Sequence, residues 1–102
     1  MKKSCPITKI LNQLSKKWTL LILRELHNNG TKRFNELIRG MENISPRTLS
    51  KRLKELEKLE LVLKKRFNET PPRVEYSLTN KGKELIKCFR HLDIWVKKFD
   101  VK

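Results

Sequence analysis

Arg47, Thr48 and Lys51 fall within the run Ile44-Ser-Pro-Arg-Thr-Leu-Ser-Lys-Arg-Leu-Lys-Glu-Leu-Glu-Lys-Leu59. Their spacing puts them in the first two turns of one helix, clear of its apolar side. Arginine and lysine donate to guanine acceptors, and threonine meets a thymine methyl or a base acceptor, so the grouping suits the reading of base edges in a major groove. Ser45 is the expected helix cap. Pro46 suits the first helical position, where its missing N–H would be unpaired anyway, and Leu49, Leu53 and Leu56 recur at helical spacing to face a core. With those leucines inward, Arg47, Lys51 and Lys54 point almost opposite, Thr48 and Glu55 lie to one side, and Arg52 flanks the core. Ser45, Arg52 and Lys54 are the expected phosphate contacts. Lys16 and Lys17 join them at the start of an earlier helix, whose N-terminus also favours an anion. An amphipathic surface helix with a solvated Lys/Arg/Glu face would show the same local pattern, so context has to decide.

The chain has 102 residues, suited to one small domain, and its 37% apolar content makes a thin core that subunit association would help. A net charge of +14 favours a nucleic acid or an anionic membrane as partner. The charge is spread through all parts of the chain, so no basic tail accounts for it. The longest apolar run, Leu20 to Leu23, is far below the ~20 residues of a membrane span. The start Met-Lys-Lys-Ser-Cys-Pro has no signal-peptide hydrophobic region, so a cytoplasmic protein with no membrane partner is expected. Cys5 and Cys88 match no CxxC motif, and His27 and His91 read as surface or half-buried imidazoles, because a zinc site needs four clustered ligands. Neither a metal nor a cofactor is expected.

The elements that position the basic helix follow from periodicity. Pro6 opens a first helix to about residue 14, with Ile7, Ile10, Leu11 and Leu14 on one side. Trp18 to Leu26 is a second, with Trp18, Leu21, Ile22 and Leu26 expected in the core and Asn28-Asn29-Gly30 ending it. Arg33 to Gly40 is a short third helix, separated by a turn of about five residues from the basic helix. Beyond Leu59 the period shifts from 3.6 toward 2. Leu61 to Phe67 and Arg73 to Leu78 read as a hairpin whose connection carries Pro71 and Pro72, which cannot donate to a ladder. Thr79 caps a final helix with Leu85, Ile86, Phe89, Leu92, Val96 and Phe99 at helical spacing and Trp95 alongside. The fold class is therefore mainly α with a small β-hairpin, a winged helix-turn-helix. The large apolar side chains of the last helix exceed what one face of so small a monomer readily covers, which favours a homodimer; folding back onto the monomer core is the alternative. In the wing, Arg73 beside the proline tip is the expected minor-groove or backbone contact, with Lys64, Lys65 and Arg66 in support. Lys64 and Arg66 share one strand face and Lys65 takes the other, so simple solvation accounts equally for some of them.

Nearly the whole chain resembles the HxlR-type family of winged-helix transcription regulators, relatives of the MarR-like group. The matching pieces include Cys5-Pro6, Lys17-Trp18-Thr19-Leu20, Arg33-Phe34-Asn35-Glu36-Leu37, Ile44-Ser45-Pro46-Arg47-Thr48-Leu49, Leu53-Lys54-Glu55-Leu56, Pro71-Pro72-Arg73-Val74-Glu75-Tyr76 and Gly82. The resemblance implies a single domain over residues 1–102, a homodimer through residues 1–14 and 79–99, and binding to a pseudo-palindromic promoter site in double-stranded DNA. Ile7, Ile10, Leu11, Leu85, Phe89, Leu92, Trp95, Val96 and Phe99 would make the interface. It also implies a thiol switch at Cys5, where Lys2, Lys3 and a helix N-terminus would favour the thiolate; a small packing residue is the other reading. Cys88 is expected to pack, an intersubunit disulfide with Cys5 being the alternative. The effector, a small molecule or an oxidant, is left open.

A module that binds RNA, or DNA without sequence preference, is the rival reading. An enzyme is disfavoured, since the chain has no Gly-rich phosphate loop and no nucleophile–base pair. A membrane-surface cation is disfavoured because its helices mix acidic with basic residues.

Overall fold

The computed structural model describes residues 6–99. Cys5 and the side chain of Ile7 lie outside that description. Five helices and three short strands follow in the order α1 Pro6–Leu14, α2 Thr19–Asn29, β1 Lys32–Arg33, α3 Phe34–Gly40, α4 Pro46–Lys58, β2 Val62–Phe67, β3 Arg73–Leu78 and α5 Asn80–Phe99. Among the described residues no helix is long and apolar enough to cross a membrane.

The hairpin is as expected, but the sheet has a third strand. β3 is central, paired with β2 through Val62↔Leu78 to Phe67↔Arg73 and with β1 through Lys32↔Tyr76 and Arg33↔Glu75. Lys32 and Arg33 were expected as loop and helix start. Two residues carry too little alternation to signal a strand, and only the exposed edge of β3 recruits them. α3 consequently begins at Phe34, where the Glu36 carboxylate accepts the Arg33 N–H at 2.8 Å.

Leu49, Leu53 and Leu56 of α4 are buried with Ile22, Leu23, Leu26, Leu37, Leu61 and Tyr76. Within α2 the expected core needs correction. Thr19, Ile22, Leu23 and Leu26 are buried, Leu21 faces solvent, and Trp18 is only half-buried. The reason is local: Trp18 precedes the helix at φ 81°, in the left-handed region, so the helical phase starts afresh at Thr19. Counting from Thr19, the buried set is i, i+3, i+4 and i+7, one helix face.

The corner before α5 is tightly built. The Thr79 hydroxyl donates to the Glu60 carbonyl at 2.6 Å and accepts the Gly82 N–H at 3.0 Å, while the Thr79 N–H donates to the Leu61 carbonyl at 3.1 Å. Gly82 is required here by close approach, since a Cβ would collide with the Leu61 carbonyl. α5 is thereby seated against Leu61 and Leu78, with Leu85, Ile86 and Phe89 packed on the core.

Candidate nucleic-acid interface

Ser45 caps α4 as expected: its hydroxyl accepts the Thr48 N–H at 3.1 Å and donates to Thr48 Oγ1 at 2.9 Å, with Pro46 in the first turn. A hydroxyl has one proton, so Ser45 spends its donor inward and has none left for a phosphate while the cap holds. Thr48 is held by the same bond. Arg47, Lys51 and Lys54 project into solvent from the side opposite the buried leucines. Among the described residues none of these three cations is held in an ion pair. A rigid apolar back and an unneutralised cationic front can lie against a polyanion without prior rearrangement.

Arg52 and Lys16 behave differently from the expectation that they are phosphate contacts. The Arg52 guanidinium donates through Nε to the Lys17 carbonyl at 3.0 Å and through a terminal nitrogen to Glu55 Oε1 at 3.1 Å. Glu55 also accepts from Gln13 Nε2 at 3.0 Å and from Lys16 Nζ at 3.2 Å. The cause is helical phase: Thr48, Arg52 and Glu55 are three and four residues apart and line the flank of α4 that meets the α1–α2 corner. The side chain of Lys17 stays outside that cluster, its ammonium 5.3 Å from the Trp18 ring centroid. Burial works to raise the Glu55 pKa, but hydrogen bonds from Gln13 and Lys16 and the charge of Arg52 outweigh it and hold the carboxyl below its ordinary value.

In the wing, the register places Lys64 and Arg66 opposite Tyr76 and Val74, on the face that carries the buried Tyr76, and Lys65 opposite Glu75 on the other. Arg73 is spent on the hairpin itself. It pairs with Glu69 at 3.2 Å and stacks over the Phe67 ring at 4.0 Å. Its Nε lies 3.2 Å from Glu75 Oε2, an ion pair whose angle misses hydrogen-bond geometry. Lys65 and Arg66 are exposed and Lys64 is half-buried. The Tyr76 phenol is pushed up by burial and by Glu57, against the charge of Arg66.

A second surface is apolar. Leu92, Ile94, Trp95 and Phe99 on α5 are between 50% and 58% exposed, and Leu11 on α1 and Leu20 and Leu21 on α2 are also exposed. Trp95 and Phe99 stack with ring centroids 5.2 Å apart. Of the expected interface residues, Ile10, Leu85 and Phe89 are half-buried against this chain's own core, and Val96 is half-buried. Leu20, Leu21 and Ile94 were not anticipated. For α2 the signal was available in the phase set by Thr19. Cys88 is exposed on this chain and not part of its core, its Sγ 3.7 Å from the Glu84 carbonyl.

Comparison with known proteins agrees with this architecture. The model of the HxlR-like helix-turn-helix family matches residues 13–102. The HTH-type transcriptional regulator YvaP of Bacillus subtilis (strain 168) is 45% identical over 92 residues, which are 89% of this chain and 84% of that protein. Among solved structures, a MarR-family transcriptional regulator from Enterococcus faecalis V583 superposes with a TM-score of 0.83 at 41% identity, covering 98% of this chain and 93% of that one. The reduced form of the B. subtilis transcriptional regulator YodB superposes at 0.85 and 38% identity, covering 95% of both chains. YodB has also been solved after diamide treatment, at a TM-score of 0.81.

Proposed function

The chain belongs to the HxlR-like helix-turn-helix family and is a transcriptional regulator of that type, and on this premise we propose that it acts in the cytoplasm as a homodimer binding a pseudo-palindromic site in duplex DNA. The observation that carries this reading is α4: three fully buried leucines behind, three unpaired cations in front, and a capped N-terminus to enter the groove. Arg47, Thr48 and Lys51 read base edges; Lys17 and Lys54 meet phosphates; Lys64, Lys65 and Arg66 bring the wing alongside, with Arg73 stiffening it. The exposed Leu11, Leu92, Trp95 and Phe99 join two copies, so that the paired α4 helices reach half-sites about 34 Å apart, one helical turn of DNA. Cys5 acts as a thiol switch in this reading, supported by the likeness to YodB, solved in reduced and diamide-treated forms.

The test is selection of duplexes from a random library, followed by affinity measurements across salt concentration. Arg47→Ala should lose about 1–3 kcal/mol of discrimination at one position of each half-site. Lys54→Ala should weaken all duplexes alike and reduce the salt slope by about 0.9 per contact. Identical behaviour of the two variants refutes the division of roles. For the switch, binding before and after diamide is compared with Cys5→Ser; unchanged binding of the wild type removes it.

A further inference from the structure

The Glu55 carboxylate joins two cations at the flank of α4, Arg52 on the same helix and Lys16, 39 residues away in sequence. We propose that Glu55 sets DNA specificity by withholding Lys16 and Arg52 from the phosphate backbone while pinning α4 to the α1–α2 corner. The inference rests on the proposal that α4 reads DNA, and deepens it.

Lys16 and Arg52 belong to the basic surface by sequence, and a phosphate would recruit both. Glu55 presents to them the same chemistry as a phosphate, an anionic pair of oxygens that accepts charge-assisted hydrogen bonds. Oε2 takes Lys16 at 3.2 Å, and Oε1 takes Arg52 at 3.1 Å and Gln13 at 3.0 Å. Side-chain exposure is 16% for Arg52 and 21% for Glu55, so that pair is shielded better than a surface ion pair, whereas Lys16 at 42% remains within reach of solvent. Arg52 is held a second time by the Lys17 carbonyl, which fixes the backbone just before Trp18. The cluster therefore joins α4 to the end of α1 through Gln13 and to the corner through Lys17.

Phosphate contacts strengthen binding to every sequence and carry no base information, so each cation kept from the backbone lowers sequence-independent affinity and leaves the base contacts of Arg47, Thr48 and Lys51 to decide. A chain with a charge of +14 would otherwise bind any duplex. Pinning serves the same end, because a base-edge donor must be placed to a fraction of an ångström, whereas a phosphate contact tolerates displacement.

The experiment measures affinities of the full-length wild type, Glu55→Gln, Lys16→Gln and the double variant. The probes are a duplex selected by the wild type from a random library and a scrambled duplex of the same composition, each at several salt concentrations. Glu55→Gln should bind the scrambled duplex about 5- to 30-fold more tightly, with a salt slope steeper by about one or two phosphate contacts, so the ratio of selected to scrambled affinity falls. A merely structural role for Glu55 would not steepen the slope. Adding Lys16→Gln to Glu55→Gln should return the slope toward the wild type by about one contact. Lys16→Gln alone alters an exposed side chain and should leave scrambled affinity within about twofold of wild type, since that ammonium is already withheld; a loss of one full phosphate contact overturns the inference even if Glu55→Gln does not fold. An unchanged slope and ratio in folded Glu55→Gln overturns it as well. A wild type that selects no duplex overturns the DNA-binding reading together with this inference, whereas one that selects a duplex while the variants fail these expectations overturns this inference alone.

Discussion

Helices α4 and α5 each carry an apolar stripe with charged residues on the other side, yet the chain completes only one of them. In α4 the stripe is three leucines over two turns, all fully covered by α2, α3 and the sheet. In α5 it runs for about four turns; Leu85, Ile86 and Phe89 reach the core, and beyond them Leu92, Trp95 and Phe99 project past it. A 20-residue helix is about 30 Å long, more than so small a body can back along its whole length. The same amphipathic pattern thus serves to seat a helix in one place and to leave an unfinished surface in the other. On α4 the exposed side is the cationic one; on α5 the apolar side is also exposed.

Truncating the two stripes should separate them most sharply. Leu53→Ala removes a fully buried side chain and should destabilise the fold by about 2–5 kcal/mol in chemical unfolding. Trp95→Ala should cost the isolated chain far less than the 3–5 kcal/mol typical of a buried aromatic, and instead shift sedimentation from dimer to monomer. A large loss of monomer stability in Trp95→Ala would show that the α5 stripe is core after all. Next in size is the cap. Ser45→Ala removes the acceptor of the Thr48 N–H and should cost about 1 kcal/mol, read by thermal unfolding, with no counterpart on the protruding half of α5.

The smallest effect is a pH dependence peculiar to the flank of α4. Because the Glu55 carboxyl is held below its ordinary value of 4.5, the stability that it contributes is fully present above about that pH and is lost as pH falls through the lower value of the folded state. The melting temperatures of wild type and Glu55→Gln should differ near neutrality and converge as the pH falls through the lowered folded-state value. A constant difference across that range would show that the carboxylate's charge contributes nothing to the fold.

The cap, start and stripe of α4 were legible in the sequence because each is a local relation: Ser45 to Thr48, Pro46 at the first turn, leucines at three and four residues. The hairpin was legible for the same reason, since alternation and two prolines bound its strands at either side. The candidate base contacts could be named from phase alone. Which of the neighbouring cations are free could not, because Arg52 and Lys54 differ by only two positions on the helix and the Lys17 carbonyl that holds Arg52 comes from elsewhere in the chain. Arg73 is a comparable case, a wing cation that the hairpin's own Glu69, Glu75 and Phe67 absorb.

By itself the sequence determined the order of the helices and the hairpin, the apolar back of α4 and a strong positive charge, all properties set by backbone dihedral preferences and by residue type along a few turns. The tertiary structure alone decided that Lys32 and Arg33 add a strand to β3 and that Glu55 and Arg52 of α4 are joined to Gln13, Lys16 and the Lys17 carbonyl. The physical reason is common to both: each depends on which distant segment is brought alongside, and a pairing between residues tens of positions apart leaves no periodic trace in the chain.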